Sequence, residues 1–85
     1  MVEETVTAVE LLERLRFLEA EAEEAYGRMY DARAGSDLTA CYSDTKEAFH
    51  EAIAVARRLG LTRETKRLEK RLAEIKTIYR SQFPA

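Results

Sequence analysis

Asp37-Leu38-Thr39-Ala40-Cys41-Tyr42, running on to Ala56-Arg57-Arg58-Leu59-Gly60, is the stretch whose reading decides the fold. No Gly or Pro interrupts it before Gly60, so it reads as one helix, the middle one. At the helical period of about 3.6 residues, Leu38, Cys41, Tyr42, Thr45, Ala48, Phe49, Ala52, Ile53, Val55, Ala56 and Leu59 fill one broad arc. Its two edges differ. Cys41, Ala48, Ala52 and Ala56 are small enough for a neighbouring helix to come close, whereas Tyr42, Phe49 and Ile53 are bulky. Two unlike edges imply two different neighbours.

The first neighbour lies upstream. From about Glu3 to Arg33 the only breaker is Gly27, and Leu11, Leu15, Leu18, Ala22, Ala25, Met29 and Ala32 recur at alternating spacings of four and three. That is the seam of a helix packed lengthwise on a partner, and it fits the small edge. Gly27 inside a helix costs roughly 1 kcal/mol relative to Ala, which a close approach of another backbone would explain. Ala34-Gly35-Ser36 reads as stop and restart, with Gly35 in the left-handed closing position and Ser36 or Asp37 capping the next helix. A competing start is Asp44-Thr45-Lys46-Glu47, a capping-box variant; the earlier start is preferred because Leu38, Cys41 and Tyr42 are already in phase.

Downstream, Gly60 ends the middle helix, Leu61 folds back on Ala56, and Thr62 caps a third helix. Leu68, Leu72, Ile75, Ile78 or Tyr79, and Phe83 face its core, and it stops before Pro84. The expected fold is all-α: residues 1–85 form a single domain, a three-helix up-down-up bundle with a long first helix and short turns near residues 34–36 and 60–62. Antiparallel levels then set Leu18 beside Ala52, Ala22 and Ala25 beside Ala48 and Thr45, Leu68 beside Ile53, Leu72 beside Phe49, and Tyr79 beside Tyr42. Residues 1–10 overrun the middle helix, carrying Val2, Val6 and Val9 past it, either as a frayed end or as a device for pairing two copies into a homodimer.

Composition agrees with this class. The 85 residues are 46% hydrophobic and 35% charged with three Gly and one Pro, far from the signature of disorder. The single Cys41 excludes an internal disulfide and a multi-cysteine zinc site and, with no signal peptide evident, points to a reducing, cytoplasmic setting. No apolar run approaches the roughly 20 residues a membrane span needs. Net charge is -2, unevenly distributed: residues 1–34 hold nine acidic and four basic groups, residues 61–85 three acidic and seven basic.

Part of the chain resembles a known repeat. Ala25-Tyr26-Gly27-Arg28-Met29-Tyr30 followed by Ala48-Phe49-His50-Glu51-Ala52-Ile53-Ala54-Val55-Ala56-Arg57-Arg58-Leu59-Gly60 is similar to a tetratricopeptide-repeat hairpin. Gly27 and Tyr30 match the small and aromatic positions of that motif's first helix, Phe49 and Ala52 those of its second. The halves stand about six residues further apart than in the repeat, and the chain holds one copy. The resemblance implies a helical surface that binds protein, without catalysis.

Two clusters are candidate sites. The levels above bring Tyr26, Tyr30, Tyr42 and Tyr79 to one end of the bundle with Met29 and Phe83, a candidate partner-binding end because tyrosine joins apolar area to a hydroxyl. Toward the other end, residues 57–71 hold seven cations against Glu64 and Glu69. Arg63, Lys66, Arg67, Lys70 and Arg71 are therefore a candidate anion-binding surface, with nucleic acid one ligand. Against that, the first helix offers Glu10, Glu13 and Glu19 at similar levels, and no aromatic residue interleaves the cations. His50 has no second histidine, Cys41 lies on the buried face of the same helix, and no glycine-rich phosphate loop, serine elbow or zinc spacing occurs. The sequence therefore offers no catalytic residue and implies no cofactor. It reads as a non-catalytic protein-interaction or assembly module, self-associating in one version, with an anion-binding or nucleic-acid-binding protein as the alternative.

Overall fold

The computed structural model describes residues 7–83. Three helices follow in chain order, α1 (Ala8–Met29, 22 residues), α2 (Gly35–Arg58, 24 residues) and α3 (Thr62–Gln82, 21 residues), and no strand occurs among the described residues. The fold is an all-α three-helix bundle. α2 pairs most extensively with α1 and less so with α3, while α1 and α3 barely approach each other through their backbones.

α1 begins where its free amides find partners. Thr7 is extended (φ -77°, ψ 162°); its hydroxyl accepts from the Glu10 amide while the Glu10 carboxylate accepts from the Thr7 amide, a reciprocal capping box. The helix therefore does not run unbroken from Glu3, and the Thr7-to-Glu10 spacing is the sequence signal for its start. The expected overhang lies outside the described residues as far as residues 1–6 are concerned. At the other end, the Tyr30 and Asp31 amides bond back to the Gly27 and Arg28 carbonyls, tightening the last turn after Met29, so the helix stops short of Arg33.

The connection to α2 corrects two expectations and bears out a third. Gly35 has no positive φ and is the first residue of α2, preceded by extended Ala34 (φ -120°, ψ 152°). Neither Ser36 nor Asp37 caps it: the Ala34 cap makes no side-chain bond, and the Thr39 hydroxyl donates to the Gly35 carbonyl. The preferred early start holds: Leu38 to Ser43 are helical, and the competing start at Asp44 does not occur.

The connection to α3 is tighter. Gly60 takes φ +72°, its amide bonds to the Arg57 carbonyl, and the Leu61 amide reaches the Ala56 carbonyl at 2.9 Å. This is a Schellman closure, which needs the left-handed residue that glycine supplies most cheaply. Leu61 packs on the core as expected, but it, not Thr62, precedes the first turn of α3, with no side-chain cap.

The core runs through one cluster: Leu15, Leu18 and Ala22 from α1, Ala48, Phe49, Ala52, Ile53 and Ala56 from α2, and Leu68, Leu72 and Ile75 from α3. Ala52 and Ala56 are fully buried, which is how α1 comes close; Phe49 is fully buried too and fills the space toward α3. Thr45, with no exposed surface, satisfies its hydroxyl on the Cys41 carbonyl at 2.7 Å, so no buried polar side-chain atom among the described residues lacks a partner.

Two glycines carry opposite expectations. A methyl group added at Gly27 would meet no neighbouring group within 4 Å outside its own helical backbone, so close approach is not the reason for this glycine. Gly27→Ala should stabilise the protein by about 0.5–1 kcal/mol, whereas Gly60→Ala, forced into the left-handed region, should destabilise it by about 1 kcal/mol. Urea unfolding of the two variants checks both signs.

Candidate functional site

The C-terminal end of α1, the N-terminal half of α2 and the C-terminal end of α3 meet where the sequence gathers its tyrosines. Tyr42 and Tyr79 stack face to face, ring centroids 3.7 Å apart and 4° from parallel. Tyr79 stands 6.0 Å from Phe83, Phe83 packs against Tyr30 at 5.3 Å, and Tyr30 packs edge-on against Tyr26 at 5.5 Å. The rings form one continuous chain from α2 through α3 to α1. The Tyr30 hydroxyl donates to Gln82 Oε1, which leaves Tyr26 to donate to Tyr30 at 2.8 Å. That bond, followed by burial, raises the Tyr26 phenol above its ordinary pKa. Tyr42 is raised chiefly by burial. Cations seat the outer rings, Lys46 over Tyr42 at 4.4 Å and Arg71 over Tyr26 at 5.2 Å. The predicted residues are brought together, but their faces are used on one another. Only Tyr30 among them is exposed, at 52%.

The basic surface divides in two. Arg67 makes a two-toothed pair with Glu19 at 2.7 and 2.8 Å and also holds Glu64, while Arg71 makes a second such pair with Glu23 at 2.8 and 2.9 Å. These two forks join α3 to α1, where the backbones stay apart. The Arg67 hydrogen bond pulls Glu19 below the usual carboxylate range, and both guanidinium groups are raised by their carboxylates. Of the neutralising acids foreseen on α1, only Glu19 serves; Glu10 is spent on the helix cap, and Glu23 was not foreseen. Arg63, Lys66 and Lys70 form no ion pair among the described residues and remain as an exposed row.

A third feature escaped the sequence. On the side of the bundle away from α3, a groove of about 570 Å³ runs between α1 and α2. Leu18, Ala25 and Ala48 form its floor, and Phe17 stands on its α1 wall, 55% exposed. Its rim is acidic: Glu21, Glu24, Asp44, Glu47 and Glu51 against Arg14 and Arg28. Arg14 pairs with Glu51 at 3.2 Å and Arg28 with Glu24 at 2.7 Å, while Glu21, Asp44 and Glu47 have no cation within ion-pair distance among the described residues. The available signal was Phe17 itself, the one aromatic residue of α1 out of phase with the apolar stripe.

Among the described residues no group of three His, Cys, Asp or Glu side chains is placed to hold a metal ion, and no helix is long and apolar enough to cross a membrane. No known protein family, curated protein or solved structure matches the chain.

The Glu19–Arg67 fork makes stability depend on pH with a definite sign. A carboxyl whose pKa is lower folded than unfolded contributes stability that is complete above its unfolded value, about 4.3, and is lost as pH falls through the folded value. Glu19→Gln should therefore lower the unfolding midpoint in urea at pH 7, and the gap to the parent protein should close below about pH 4.

Proposed function

We propose that the protein is a non-catalytic helical module that binds protein, and that the groove between α1 and α2 is its binding face. The observation that carries this reading is Phe17, a half-exposed ring over an apolar floor with unpaired carboxylates around it. Folding leaves that area uncovered and a docked helix would cover it, the usual logic of an exposed apolar patch with a polar rim. Tyr26, Tyr42 and Tyr79 are a weaker candidate because the aromatic chain already spends their faces inside the bundle; Tyr30 alone offers surface there. The likeness of residues 25–61 to a tetratricopeptide-repeat hairpin points to protein binding as well, and unpaired Cys41 suits a reducing compartment such as the cytoplasm.

Replacing Phe17 by a photo-crosslinking benzoylphenylalanine, with Val9 replaced in parallel, tests the assignment. Val9 is 67% exposed and lies off the groove. Position 17 should give discrete polypeptide adducts, with the purified protein or in extract of the parent cells, that position 9 does not; equal labelling, or none, contradicts the reading. Because the ring is half exposed, Phe17→Ser should cost only about 1 kcal/mol of stability while abolishing the binding those adducts report.

A further inference from the structure

The groove and the exposed row on α3 are complementary in charge and in spacing. Asp44, Glu47 and Glu51 line the α2 wall at i, i+3 and i+7, and Arg63, Lys66 and Lys70 stand on α3 at i, i+3 and i+7. At 1.5 Å per residue both rows span about 10.5 Å. Lys66–Lys70 is a like-charge pair four residues apart, unfavourable in the isolated chain and relieved by an opposed acidic row. On that row Asp44 and Glu47 lack a cation among the described residues, while Glu51 is held by Arg14.

The two rows cannot meet within one molecule. At about 100° per residue, Asp44, Glu47 and Glu51 lie roughly 150° around α2 from Tyr42, Ile53 and Arg57. Those three residues face α3: Tyr42 stacks on Tyr79, Arg57 pairs with Glu69, and Ile53 shares a cleft with Leu72. On α3 itself, Arg63, Lys66 and Lys70 point away from buried Leu68 and Leu72. The rows therefore face outward on opposite sides of the molecule.

We infer that the occupant of the groove is α3 of a second copy of this chain, docked head to tail with Arg63, Lys66 and Lys70 along the acidic wall. This rests on the groove being the binding face. Phe17 and Glu51 line the same groove, and Arg14, one turn from Phe17 on α1, reaches Glu51 across it. The cation of the docked row that meets Glu51 then comes to the Phe17 ring, which accepts both an aliphatic stem and a cationic head. An interface joining unlike faces leaves one groove and one α3 row unused at the ends of each pair, so further copies add and assembly grows with concentration.

Light scattering behind size exclusion, on the full chain over a range of concentrations and in about 20 mM and about 1 M salt, tests this with charge-reversed variants. The average mass should rise above the 9.8 kDa monomer with concentration in low salt and fall back in high salt. K66E/K70E alone and D44K/E47K alone should each dissociate at least roughly tenfold more readily, and a mixture of the two should associate again because each now complements the other. All four positions are exposed, so helical circular dichroism should match the parent; if a double variant loses it, K66E and E47K are read in the same way. A monomer at every concentration in low salt, variants that associate like the parent, or a mixture no more associated than its components overturns the inference. If those results come while position 17 still crosslinks to another polypeptide, the groove remains the binding face and only its occupant is wrong.

Discussion

Everything in this structure depends on α2 serving two neighbours with two different surfaces. Ala48, Ala52 and Ala56 let α1 come close, and Phe49 and Ile53 hold α3. Because α2 packs closely on both, α1 and α3 are left side by side with their backbones apart. The gap is closed by charge, through the Arg67–Glu19 and Arg71–Glu23 forks. A three-helix chain with three apolar seams would be rounder. This one measures 51 × 27 × 15 Å with a radius of gyration of 14.8 Å, against about 12 Å for a compact chain of its length.

The division of labour follows from magnitudes. Exposed ion pairs contribute about 0–1 kcal/mol each, whereas removing a buried ring such as Phe49 costs about 3–5 kcal/mol, a large part of the total stability of a domain this small. The forks thus orient α3 against α1 more than they hold the fold together. The aromatic chain does the same at the other end, linking all three helices through Tyr42, Tyr79, Phe83, Tyr30 and Tyr26. With α3 tethered on one side, the opposite side of the α1–α2 pair stays uncovered, and Phe17 stands in it.

How much of this could be read from the sequence depended on whether the deciding interaction was periodic. The helical arc of α2 announced both neighbours, and the level argument placed Tyr42 on Tyr79. Local closures were read less well. Glycine suggested a left-handed stop at both Gly35 and Gly60, yet only Gly60 has one, because the α1–α2 link turns at Tyr30 and Asp31 and enters α2 through extended Ala34. The start of α1 was missed although Thr7 and Glu10 spell a capping box, since the apolar repeat made the helix look longer. The basic row was visible as composition, but which cations α1 would neutralise depended on side-chain reach across helices, so the consumption of Arg71 by Glu23 could not be foreseen. The groove was hidden for another reason: it is defined by an apolar residue outside the core stripe, and periodicity discards such residues.

The proposed contact between copies joins the uncovered α1–α2 face of one molecule to α3 of the next and leaves the aromatic end free. Amide chemical shifts of isotope-labelled protein followed on dilution test it most directly, residue by residue and without mutation. Concentration-dependent shifts are expected at Phe17, Glu21, Asp44 and Glu47 together with Arg63, Lys66 and Lys70, while Tyr79 and Phe83 stay still. Shifts confined to the aromatic end, or none at any concentration, would contradict it.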